Sequence, residues 1–74
     1  MNLETLICRP VVWERSSENM YLFHAVVEGE EFSLRLNDFP EEPLCTLIGQ
    51  GQELDLEDFG EHWTLPWHRE QGNQ

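Results

Sequence analysis

Seventy-four residues make one small domain, and a chain of this length buries only about 60% of its unfolded surface, so its core is thin. Fifteen acids against four bases, all arginine, give a net charge of −11; that field argues against direct binding to nucleic acid or anionic lipid and favours a basic partner or plain solubility. No apolar run approaches a membrane span and no charged-then-apolar leader opens the chain, so a cytoplasmic protein with two unbridged thiols, Cys8 and Cys45, is expected.

In chain order, "MNLETLI" reads either as a backward extension of the next strand or as an irregular lead-in. "CRPVVWERSS" reads as a strand with Val11 and Trp13 on one face and Val12 on the other, and Pro10 suits a strand start or edge. The polar stretch 16–19 is a loop. Residues 21–36, "YLFHAVVEGEEFSLRL", give the strongest signal. A two-residue turn at Glu28-Gly29 makes Ala25 face Phe32, Phe23 face Leu34 and Tyr21 face Leu36. Val26 with Glu31, His24 with Ser33 and Leu22 with Arg35 then share the other face. A slip of one residue would expose half of the large side chains.

Phe39-Pro40 and Glu42-Pro43 forbid regular pairing after this hairpin, because proline lacks an N–H and biases its predecessor toward extended geometry. A second hairpin spans 43–59, with its turn at Gln50-Gly51, Leu47 facing Leu54 and Cys45 facing Leu56. Residues 58–63 could form a short helical turn, which Gly60 weakens. Trp63, Leu65 and Trp67 alternate, so at least one should lid the sheet. The resulting expectation is a mostly β domain over 1–68, a meander of four or five antiparallel strands with little helix, and a frayed tail at 69–74. Closed, such a meander is a small SH3-like barrel. Open, its apolar face needs a helix, the tryptophan segment or a second copy to cover it.

The tests for chemistry come out negative. "DLEDFGEHWTLP" (55–66) starts like a calcium loop, but Phe59 and Pro66 stand where ligand oxygens are required. His62 and His68, with Glu61 or Cys45, match no metal-binding spacing. Ser16 and Ser17 lack the strand-turn-helix setting of an activated nucleophile, and Gly49-Gln50-Gly51 lacks that of a phosphate loop. No catalytic residue, metal or cofactor is expected, and the chain does not read as an enzyme.

The acids carry the remaining signal. On a strand, Glu53, Asp55 and Glu57 share one face about 7 Å apart, while Leu54 and Leu56 anchor the other. Asp58 and Glu61 continue past the strand end, and Glu41 and Glu42 add to them from the proline turn. The spacing loosely resembles that of phosphates along a nucleic-acid strand. Trp67 is the candidate aromatic anchor, on which a partner's arginine could stack. These residues form the expected partner-facing surface of a small acidic protein that inhibits or neutralises a basic protein. Immunity proteins, antitoxins and phage-encoded inhibitors of nucleic-acid enzymes are of this physical kind. The alternative is an accessory or structural β module, homodimeric if its sheet needs a cover. Its charge then serves solubility and its acidic row guards an edge against aggregation.

Overall fold

The computed structural model describes residues 2–67 of the chain. The tail expected at 69–74 lies outside the described residues. The chain opens with a helix, α1 (Leu3–Ile7), and not with strand or irregular lead-in. The reason is local. Asn2 accepts the Thr5 N–H on its side-chain oxygen at 2.8 Å, which caps the helix, and Glu4 sits in the first turn. The three-residue spacing of Leu3 and Leu6 then buries both on one side.

The strand expected next is split into β1 (Val11–Val12) and β2 (Glu14–Arg15). Trp13 stands at the break, where its N–H donates to the Thr64 carbonyl at 2.9 Å. The faces alternate as the sequence implies: Val11 and Trp13 are buried and Val12 is exposed. β3 (Leu22–Val27) and β4 (Glu30–Leu36) form the first hairpin. Its register pairs Phe23 with Leu34 and Ala25 with Phe32. Glu28 and Gly29 both have positive φ, 54° and 80°, the geometry that matches a two-residue turn to the strand twist. β5 (Cys45–Gly49) and β6 (Gln52–Leu56) form the second hairpin, again around two positive φ values, 53° at Gln50 and 72° at Gly51. Leu47 faces Leu54 and Cys45 faces Leu56. The turn tips are tied together. The Gln50 amide donates to Glu30 at 2.6 Å and holds that carboxyl below its usual pKa.

The hydrogen-bonded sheet is antiparallel in the order β2-β3-β4-β5-β6. A final short strand, β7 (Trp63–Thr64), pairs parallel with β1. The helical turn considered at 58–63 does not form; bends and a turn carry the chain there. Gly60 is buried there against the Trp63 ring, where the observed backbone leaves no room for a Cβ.

The apolar face of the open sheet is covered from within the chain. Leu3 and Leu6 of α1, with Trp13, Trp63 and Leu65, join Phe23, Phe32, Leu34 and Leu47 in one core cluster. Trp13 and Trp63 meet edge to face with centroids 5.2 Å apart. The Trp63 indole N–H donates to the Leu6 carbonyl at 3.1 Å and ties the helix to the C-terminal segment. The Trp13 indole N–H is buried with no hydrogen-bond partner among the described residues. Cys8 is exposed, Cys45 is buried, and both are free thiols. Among the described residues no helix is long and apolar enough to cross a membrane.

Candidate functional site

The charge is segregated along the chain and therefore across the sheet. From residue 36 to residue 67 there are eight acids and no Lys or Arg. These residues build β5, β6, the short β7 and the loops beside them, and all eight carboxylate side chains belong to exposed residues. The three arginines of the described residues lie in the preceding part. Arg9 pairs with Glu28 at the tip of the first hairpin. Arg15 lies 5.8 Å from the centroid of the Phe23 ring. Arg35 donates from Nε to the Asn37 side-chain oxygen at 3.2 Å.

Glu53 and Asp55 stand on the outer face of β6, with Leu54 and Leu56 turned to the core side as alternation requires. Glu57 and Asp58 follow at the end of the strand and Glu61 precedes β7. Asp58 accepts the Phe59 N–H at 2.9 Å. Glu41 and Glu42 lie in the proline loop, where the Phe39–Pro40 peptide is cis. Glu42 is ordered on Asp38, accepting its N–H on the side chain at 3.2 Å and donating its own N–H to the Asp38 carbonyl at 2.9 Å. The structure brings Glu42 to the same cleft as Asp55, a polar hollow of about 180 Å³ that Arg35, Asn37, Pro43 and Thr46 also line. Trp67 lies beyond β7, next to the phenylalanine that follows Asp58. It is half-buried and packs on Phe23 and Phe59, each with centroids 5.6 Å away.

Asp55 differs from Glu42 and Asp58 because its anchor is a buried side chain and not a main-chain N–H. Thr46 is fully buried, and its hydroxyl donates to Asp55 at 2.8 Å. The same oxygen accepts from the Asn37 amide at 2.9 Å and from Arg35 Nη2 at 3.4 Å. The buried hydroxyl is thereby satisfied on every side. Sequence reasoning passed over Thr46 and Asn37. The hairpin register does place Thr46 opposite Asp55, but only the folded loop brings Asn37 to them.

Beside β6 runs a groove of about 410 Å³ lined by Asn2, Leu3, Glu4, Gln52, Glu53 and Leu54. It separates the start of α1 from the open edge of the sheet. Leu3 and Leu54 give it apolar lining, and Glu4 and Glu53 give it acidic lining. Sequence reasoning missed Glu4 as a neighbour of the acidic strand, because the helix that delivers it was not foreseen. Among the described residues, no three His, Cys, Asp or Glu side chains converge as metal ligands would. Comparison with family models, with curated proteins and with solved structures finds no match for this chain.

Proposed function

We propose that this protein is a binding module that engages and neutralises the basic surface of a protein partner through its β5–β6 half. The observation that carries this reading is the charge segregation: eight exposed carboxylates and no Lys or Arg over residues 36–67. A field of one sign, concentrated on one part of a small domain, speeds the approach of an oppositely charged surface and repels nucleic acid. Rim carboxylates of this kind act mainly on association rate and salt dependence.

The experiment is capture from the native host at low salt, elution in a salt gradient, and kinetics on the purified partner. Glu41→Gln, Glu42→Gln and Glu57→Gln together are expected to slow association, most at low ionic strength. An unchanged on-rate and salt slope for that triple variant would overturn the proposal. So would a protein that captures no basic partner and instead gains mass with concentration.

A further inference from the structure

We infer that the open edge of β6 is a docking site for one extended, basic segment of the partner, which adds to the sheet as an antiparallel strand. This deepens the reading above and rests on it. Two observations independent of the overall charge lead to it: the direction of the main-chain groups and the groove beside them.

A two-residue hairpin turn makes its flanking pair, here Gly49 and Gln52, a hydrogen-bonded pair. Alternation makes Leu47–Leu54 and Cys45–Leu56 the next two. The opposite side of β5 agrees with this phase, since the Asn37 N–H donates to the Leu44 carbonyl one residue before Cys45. The N–H and C=O groups of Glu53 and Asp55 therefore point away from β5. No strand among the described residues pairs with β6 on that side. At the other end of the sheet, β2 is only two residues long. β6 is thus the long free edge, and a free edge is a template for strand addition.

The chemistry of the occupant follows from the two faces of β6. Residues directly opposite each other in an antiparallel pair place their side chains on the same face. Positions opposite Glu53 and Asp55 then call for Lys or Arg. Positions opposite Leu54 share its face, beside the apolar lining that Leu54 and Leu3 give the groove, so they call for aliphatic residues. A second copy of this chain does not fit: antiparallel pairing of two β6 edges sets Glu53 against Asp55 in both directions, and like charges directly opposite are unfavourable.

The probe is a synthetic seven-residue peptide alternating Lys and Val, used in three forms: unmodified, N-methylated on every Lys, and N-methylated on every Val. All three carry the same charge. In the inferred pairing only the lysine amides face β6. The valine-methylated peptide should bind like the unmodified one, and the lysine-methylated peptide roughly thirtyfold more weakly, the loss of two main-chain hydrogen bonds. Binding should also slow hydrogen exchange at the Glu53 and Asp55 amides. Equal binding of both methylated forms, without that protection, overturns strand addition. If that binding still weakens with salt and with Glu53→Gln plus Glu57→Gln, the charge reading stands alone. Affinity that ignores both salt and those substitutions overturns the charge reading too. No binding of the unmodified peptide at about 1 mM, the weak limit for a specific contact, also overturns strand addition.

Discussion

Gly60→Ala tests how the two ends of the chain are locked over the sheet. Gly60 is buried, and its φ is not in the left-handed region, so its role is one of space. A Cβ added there would lie 2.5 Å and 2.7 Å from two ring carbons of Trp63 and 2.7 Å from the Ile7 carbonyl oxygen. Neither neighbour can retreat freely. The Trp63 ring is held by its indole bond to Leu6 and by the edge contact with Trp13, and the Ile7 oxygen is backbone. Forcing a methyl group into such a core costs about 1–3 kcal/mol. Turning the indole away to make room loses its hydrogen bond to Leu6, about 1 kcal/mol more. The expected total, roughly 2–4 kcal/mol, is a large share of the stability of a domain this size, about 4–11 kcal/mol. Urea melts followed by tryptophan fluorescence measure it, with the slope unchanged from wild type. Trp63→Phe in the same background should remove part of the clash, so the double variant should cost less than the sum of the singles. A Gly60→Ala protein within about 0.5 kcal/mol of wild type would refute the lock, since that is the ordinary spread of surface substitutions.

The thiols give a second check: iodoacetamide should label Cys8 in the folded protein and Cys45 only after unfolding. Burial, with Asp58 and Asp55 nearby, pushes the Cys45 thiol up to about 11 from 9.0. The folded state therefore holds its proton where the unfolded chain loses it, and this contribution to stability should fall as pH rises from 9.0 to about 11. A Cys45→Ala variant whose stability falls equally across that window would refute the assignment. Within the acidic row, Glu53→Gln should leave stability unchanged or raise it slightly, since it only relieves repulsion. Asp55→Asn should cost about 1–2 kcal/mol, because the Thr46 hydroxyl then loses its charged acceptor. Equal melts for the two variants would show that the Thr46–Asp55 bond contributes nothing.

The two hairpins were legible in the sequence because their information is local. A glycine at each turn and apolar alternation on both sides leave one register that buries Phe23, Phe32, Leu34 and Leu47 together. The helix at Leu3–Ile7 was not legible. It is five residues long, far below what propensity alone sustains, and it forms where Leu3 and Leu6 find the sheet and Trp63 finds the Leu6 carbonyl. The break at Trp13 has the same origin, since its main-chain partner, Thr64, lies some fifty residues away along the chain. Trp67 shows the limit of reading aromatics from composition. Its ring packs on Phe59, eight residues back, and on Phe23, more than forty residues back, and only the folded sheet brings Phe23 there.

The same distinction explains the acidic surface. That Glu53 and Asp55 share a face follows from the period of a strand, so the row could be placed without a fold. What gives the row its direction could not. Among the described residues the edge is open because the chain after β6 turns back to pair β7 with β1 and does not add beside β6. Had β7 joined that edge, Glu53 and Asp55 would have been interior to the sheet, with their main-chain groups used within the fold. The parallel β1–β7 pair instead closes the core under the sheet and leaves β6 as its boundary. Asp55 then serves the fold through Thr46 and the surface through its remaining charge, whereas Glu53 has no such anchor among the described residues and lines the groove. Fold and charge are thus coupled at one position of the row and separable at the next, which is why a substitution at Glu53 reports on binding more cleanly than one at Asp55.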